Sequence, residues 1–368
     1  VKIMSSNRIY AARETLEAST MNAVAGVMER ASWAGCRSVG ARLGLLFFHA
    51  LRKRRGTAIG NIQRAFPSMS EVEAREIARR SCQNFAMTFC EFLHLRTASF
   101  DEVQSYCDIE GGEYIQTSRE SGRGVILMTA HLGNWEVMGG RASHDFPLTV
   151  IARPTGNPRI EAHIASVRHA AGFKVISKND TGKAALRVLR ENGTLGILPD
   201  QYATDDGVLL PFFGHTTRVV PAVARLAMIS GAPVVPAFGV RQTPWLKNGR
   251  IIAKVAPSWT VPRAERTERN EAIINGTRRM IEEMEAVIRA HPDQWLWVHR
   301  RWRAEDDGVE ELIANLKEQG VYPSFGTGTD THVLDILHLG HKALATRLYM
   351  EIHRVPYKEA ARAVRDLA

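Results

Sequence analysis

One histidine invites a chemical reading before any other residue. In the stretch MTAHLGNWEVMGG, residues 128–140, His131 ends an apolar run and Glu136 follows five positions later. The preceding GVILMT reads as a buried strand, and the residues from Gly133 onward read as a helix. His131 and Glu136 therefore fall at a strand-to-helix junction, where open α/β sheets gather their ligands. An imidazole titrates near pH 6.5 and serves as a general base once a carboxylate fixes its tautomer and stabilises the imidazolium. Glu136, in the first turn of a helix whose dipole keeps it ionised, is the expected partner. Gly133 allows a sharp turn and a close approach of substrate to the backbone, so Gly133 and Asn134 are expected to border the substrate. No Ser or Cys nucleophile stands beside His131. The hydroxyl it deprotonates would belong to a substrate, and the reaction would be direct transfer to an acceptor alcohol.

The elements that must position this pair follow from pattern. Residues 1–100 read as helical, and SMSEVEAREIARRSCQNFAMTFCEFLHL opens with a capping box from Ser70 to Glu73. Residues 104–260 alternate short apolar strands (GVILMT, LTVIA, LGILP, APVVPAF, NGRIIAKVAP) with helical patterns near 157–171, 180–192 and 217–230. The pattern predicts an α/β fold, a mixed central sheet flanked by helices, with a helical N-terminal segment and a helical C-terminal tail. Three divisions are expected: a membrane-associating segment over 1–100, a catalytic core over 101–303, and a tail over 304–368. Residues 265–290 read as a charged amphipathic helix, and 331–366 as one or two more. Arg153 follows one strand and Asp200 follows another, near the same sheet edge as His131.

TAHLGNWEVMG, ARPTGNPRI, ILPDQ, LLPFFG, GAPVVPAF and HPDQWLWVHRRWR, in that order, closely resemble the bacterial lipid A biosynthesis acyltransferases, the late lauroyl and myristoyl transferases of the glycerolipid acyltransferase superfamily. The resemblance runs from about residue 30 to 303. It implies that His131 deprotonates an acceptor hydroxyl with Glu136 as its partner, and that the oxygen then attacks an acyl thioester. It implies a place for Arg153 near the catalytic centre, on phosphate or an oxyanion, and for Asp200 facing the same cleft. It implies no metal or prosthetic group. The donor is acyl carrier protein or acyl-coenzyme A, the acceptor an anionic lipid A precursor or another glycolipid such as a phosphatidylinositol mannoside. The expected location is the cytoplasmic face of the bacterial inner membrane.

Charge fits this picture. With 48 Lys and Arg against 39 Asp and Glu, the chain carries +9 and favours an anionic partner. A basic nucleic-acid-binding protein is the alternative from another class, but no known recognition module is visible. A non-catalytic membrane-binding relative is disfavoured by intact His131 and Glu136. No apolar run is long enough to span a bilayer. LGLLFF followed by His49 and Arg52, Lys53, Arg54 and Arg55 instead suits a helix lying on an anionic surface. The segment holding Trp295, Trp297 and Trp302 reads either as core aromatics or as a bilayer edge with Arg300, Arg301 and Arg303 on phosphates. The cysteines, Cys36, Cys82, Cys90 and Cys107, lack Cys-x-x-Cys spacing and read as free thiols. His338 and His341 in the tail lack a third ligand nearby and read as solvated or packed histidines.

Overall fold

Serines start two of the long N-terminal helices in this computed structural model, which describes residues 2–152, 155–177, 181–203, 207–265, 267–303, 309–323, 328–353, 355 and 357–367. The helices are α1 (Lys2–Met28), α2 (Trp33–Ala50), α3 (Arg52–Ala65) and α4 (Glu71–His94). Ser32 caps α2 by accepting from Gly35 N, and Ser70 and Glu73 form the expected capping box on α4. α2 lies directly on α4 because Gly40 and Gly44 have no side chain to hold it off. A Cβ at Gly40 would stand 2.5 Å from Met87 Cα, and one at Gly44 2.4 Å from Gln83 Cα.

After α5 (Phe100–Tyr106) come β1 (Cys107–Glu110), α6 (Glu113–Arg119), β2 (Val125–Met128), α7 (Trp135–Asp145), β3 (Leu148–Ala152), α8 (Pro158–Ala170), β4 (Lys174–Ser177), α9 (Thr181–Arg190) and β5 (Thr194–Ile197). Then follow a hairpin of β6 (Val208–Phe212) and β7 (His215–Val219), α10 (Ala222–Ser230), β8 (Val234–Arg241), α11 (Trp245–Asn248), β9 (Ile251–Val255) and α12 (Arg269–Ala290). The seven-stranded sheet runs β1-β9-β8-β2-β5-β3-β4. Its neighbours pair parallel except β8 with β9, so the sheet is mixed, as expected.

The central strands are buried on both faces, and alternation divides their side chains between two cores. Val125 and Leu127 of β2 pack with Val137 and Met138 of α7, Val167 of α8 and the second half of α4. Ile126 and Met128 face the other way, against α9, α10 and α12.

Two expectations are corrected. Residues 215–219 form a strand, so the helix read near 217–230 begins only at Ala222; Thr216, Thr217 and Val219 are β-branched and pair across the hairpin with Pro211, Leu210 and Val208. The segment 331–366 holds three helices, α14 (Asp330–His338), α15 (Lys342–His353) and α16 (Tyr357–Leu367), which with α13 (Val309–Glu318) surround their own apolar cluster of Leu316, Val333, Ile336, Leu344, Leu348 and Val364. No helix among the described residues is long and apolar enough to cross a membrane.

The α2–α4 contact yields a direct test. Gly40→Ala and Gly44→Ala each force methyl groups into helix backbone, and overpacking of this kind costs about 1–3 kcal/mol per site. The double variant should unfold at clearly lower temperature than the parent in a thermal melt; an unchanged melt would mean that α2 does not need this close approach.

Candidate active site

His131 and Asp200 meet because two neighbouring parallel strands run off the sheet in step. β2 and β5 pair from Val125–Thr194 to Met128–Ile197. Thr129 N still donates to Ile197 O at 3.0 Å beyond the last pair. Three residues past each strand end stand His131 and Asp200. His131 N donates to Asp200 Oδ2 at 2.9 Å, and His131 Nδ1 lies 2.8 Å from Asp200 Oδ1. Trp295 Nε1 donates to Oδ2 at 2.9 Å.

Asp200 is buried. Burial alone would raise its pKa, but the charge and hydrogen bonds of His131, with Trp295, hold the carboxyl down at about 2. An ionised carboxylate only accepts, so His131 Nδ1 carries the proton and Nε2 is left as the basic nitrogen. Burial pulls the His131 pKa down, and Asp200 outweighs it, leaving the imidazole above its ordinary value.

The carboxylate hydrogen-bonded to His131 is therefore Asp200, where the sequence reading expected Glu136. Glu136 does sit in the first turn of α7. Its Oε1, however, accepts from Arg168 Nη2 of α8 at 2.7 Å and from Trp135 Nε1 at 3.3 Å. The helix carries Glu136 round toward α8, whereas the register of β5 brings Asp200 to the imidazole. The Trp135 ring packs on edge to His131, 5.0 Å between centroids. Arg153 lies outside the described residues.

Gly133 and Asn134 make the turn into α7. Gly133 has φ +59°, and a Cβ there would stand 1.9 Å from Gly239 O, so only glycine fits. Asn134 caps α7 through Val137 N at 2.9 Å, and its own N donates to Gly239 O at 2.7 Å. Both residues are occupied by the fold: Asn134 is fully buried, and Gly133 N donates to Gln294 O at 3.0 Å.

The turn is gripped by a polar stripe on α4. Ser81, Asn84, Thr88 and Glu91, spaced 3, 4 and 3 residues apart, are all buried on one helix face. Ser81 Oγ donates to Trp295 O. Asn84 Nδ2 and Thr88 Oγ1 donate to Gly133 O at 3.0 and 2.7 Å. Glu91 Oε2 accepts from Asn134 Nδ2 at 2.6 Å and from Arg241 Nη2 at 2.6 Å, while Oε1 accepts from Tyr106 Oη and, at 2.8 Å, from Arg241 Nη1. Glu91 and Arg241 are fully buried as a bidentate pair.

An apolar cleft of about 450 Å³ opens beneath His131. Leu127, Leu148, Val150, Gly196 and Leu198 form its floor, and Met138, Ile164 and Phe173 wall it. Glu136, Arg168 and Gln201 also line it. Beside it, Tyr202 N donates to His299 Nε2 at 3.0 Å, and burial pushes the His299 pKa down to about 4, so that ring stays a neutral acceptor.

Of the two readings of the tryptophan-rich segment, the core one holds. Trp295, Trp297 and Trp302 are buried, and so is Arg301, which hydrogen-bonds Arg218 O and stacks over Phe212 at 4.7 Å. Arg303 stacks over Tyr202 at 3.9 Å. Arg300 alone of the three is exposed.

Comparison with known proteins places the chain among the acyltransferases. A family model described as bacterial lipid A biosynthesis acyltransferase matches residues 21–304, and the chain belongs to that family. It is similar to a lipid A biosynthesis acyltransferase of Haemophilus influenzae, 24% identical over 73% of this chain and 82% of the relative. It is also similar to the lipid A biosynthesis myristoyltransferase of Escherichia coli, 25% identical over 77% and 84% respectively. A phosphatidylinositol mannoside acyltransferase of Mycolicibacterium smegmatis is 23% identical over 62% of this chain and 73% of the relative.

Arg168, Arg241 and the α4 stripe are the residues that sequence reasoning missed, together with the hydrogen bond from Trp295 to Asp200. The signal for the stripe was present: a helix whose polar residues recur at 3 and 4 positions has a polar face, which burial turns into an obligation to bond. Glu91→Gln should lower stability by about 3–5 kcal/mol, because it leaves the Arg241 charge buried without its counter-ion. Chemical denaturation measures this; an unchanged midpoint would remove the pair from the support of the turn.

Proposed function

We propose that this protein transfers a fatty acyl chain from a thioester donor, acyl carrier protein or acyl-coenzyme A, to a hydroxyl of an anionic lipid A precursor. The observation that carries the reading is the His131–Asp200 pair at the mouth of an apolar cleft, in a chain of this family. His131 Nε2 takes the proton of the acceptor hydroxyl. Asp200 stabilises the imidazolium through Nδ1, and Glu136, held by Arg168, adds a second negative charge nearby. The acceptor oxygen attacks the thioester carbonyl. The tetrahedral intermediate then expels the thiolate, which takes the proton back from the imidazolium. The acyl chain lies in the cleft, against the apolar side chains of Leu127, Met138, Leu148 and Val150. Arg153 is proposed to bind an anionic group of the acceptor. The Mycolicibacterium relative supports a second reading, in which the acceptor is an acylated mannoside. Mass spectrometry of lipids from cells with and without the protein tests both, since a gain of one acyl group on either lipid identifies the acceptor; no acyl difference in any lipid would overturn the transferase reading.

A base must be neutral to act, so turnover should rise with pH through the His131 pKa. Asp200 raises that pKa, which places the acid limb above the ordinary imidazole value near 6.5. Asp200→Asn should lower turnover by about 10²–10⁴ and move the limb to lower pH, because the imidazolium loses its counter-charge. His131→Ala should abolish the limb with the activity. A pH–rate profile for the three proteins decides; an Asp200→Asn limb at the parent's pH would detach Asp200 from the base.

We further propose that the protein works on the cytoplasmic face of the bacterial inner membrane. Leu45, Leu46, Phe47 and Leu51 are exposed at the α2–α3 junction, next to exposed Arg52, Lys53 and Arg54. An exposed apolar patch with a basic flank suits an anionic bilayer, where each Lys or Arg contributes about 1 kcal/mol. Changing Arg52, Lys53 and Arg54 to Gln should release the protein from anionic vesicles at moderate salt while activity on detergent-dispersed lipid survives. Co-sedimentation across a salt series checks this; retention unchanged by substitution and salt would put the anchor elsewhere.

A further inference from the structure

Among the residues lining the cleft beneath His131, Thr129 carries a buried hydroxyl that neither the fold nor the proposed mechanism uses. Thr129 is 4% exposed, and its hydroxyl has no hydrogen-bond partner among the described residues. Its backbone is satisfied, since Thr129 N donates to Ile197 O. Leu127, Thr129 and His131 alternate along one face of β2 and its extension, and all three line the cleft. A buried hydroxyl without a partner costs about 1–3 kcal/mol, and valine would fill the same volume without that cost. Such a group is accounted for when a ligand supplies the missing acceptor.

We propose that Thr129 Oγ1 donates a hydrogen bond to the thioester carbonyl oxygen of the acyl donor and to the oxyanion that forms there. This assignment rests on the thioester reading above. A saturated acyl chain has one acceptor atom, its carbonyl oxygen; every carbon beyond it is a methylene that Thr129 cannot bond. Thr129 and His131 stand two residues apart just past the end of β2, and both line the cleft. The proposal sets the attacking hydroxyl at His131 Nε2 and the carbonyl oxygen at Thr129. As the acceptor oxygen forms its bond to the carbonyl carbon, the carbonyl π pair moves onto oxygen and the hydrogen bond strengthens. When the pair returns, the carbon–sulfur bond breaks and the thiolate leaves with the proton from His131. The hydroxyl thus bonds more strongly to the transition state than to bound donor, the condition for raising turnover and not merely affinity.

Thr129→Val keeps the shape and deletes the donor; Thr129→Ser keeps the donor. With saturating acyl thioester, Thr129→Val should lose about 10²-fold in kcat with KM little changed and no loss of thermal stability, while Thr129→Ser stays within a few-fold of the parent. Binding provides a readout independent of turnover. The probes are S-dodecyl-pantetheine, which lacks the carbonyl of the acyl group, and the dodecanoyl counterpart with methylene in place of sulfur, which keeps that carbonyl. The parent should prefer the ketone, and Thr129→Val should lose that preference. Parental kcat in Thr129→Val, an equal fall in both variants, or a ketone preference that survives in Thr129→Val would each overturn the assignment while leaving acyl transfer standing. A parent protein that binds neither probe and transfers no acyl chain would overturn the thioester reading itself, and this assignment with it.

Discussion

The rest of the structure hangs on a charge pair that water never reaches. Removing a carboxylate and a guanidinium from solvent costs several kcal/mol per ion, and their attraction offsets this only when nearly every lone pair and N–H is bonded. Glu91 and Arg241 meet that condition. The carboxylate accepts two bonds from Arg241, one from Asn134 and one from Tyr106; the guanidinium also reaches Asn84 Oδ1 at 3.0 Å and Gly249 O at 3.2 Å. The pair therefore ties α4, β8, α5 and the cap of α7 to one point. The turn that carries His131 is fixed from behind by that point, through Asn134, and from the side by Asn84 and Thr88. A base must be held to fractions of an ångström, and a polar network with one satisfied arrangement does this better than apolar packing, which tolerates small slips.

Much of this was legible in the residues. The capping box at Ser70, the strand GVILMT, the turn at Gly133, and the placing of His131 and Asp200 at strand ends all follow from local chemistry, which acts over a few residues and leaves its mark in spacing. What local chemistry could not decide was which carboxylate faces the imidazole. Glu136 is five residues away in sequence; Asp200 is sixty-nine away but one strand over. Strand order is a property of the whole sheet, and β5 inserts between β2 and β3 although it follows both in the chain. For the same reason Trp295 read as an ambiguous aromatic: its hydrogen bond to Asp200 exists only once residues 294–296 have folded back against the turn, where Leu132 and Trp295 form a β-bridge. The hairpin at 208–219 was hidden for a different reason, since VVPAVARL runs straight on from its second strand and lends it a helical appearance.

The two acidic side chains near His131 divide the electrostatic labour by their surroundings. Asp200 accepts three hydrogen bonds in a buried site and stays ionised to about pH 2, a fixed negative pole. Glu136 is paired with Arg168 beside the cleft, so its negative charge at His131 is partly offset by the guanidinium.

The in-step exit of β2 and β5 carries a consequence for how such a protein diverges. The placing of His131 against Asp200 depends on the register of one strand pair. The connection after β3, where Thr155 lines the same cleft, can gain or lose residues without moving His131 relative to Asp200. Inheritance can therefore remodel the cleft while the His131–Asp200 pair stays untouched, whereas a single-residue slip in either strand pulls the pair apart.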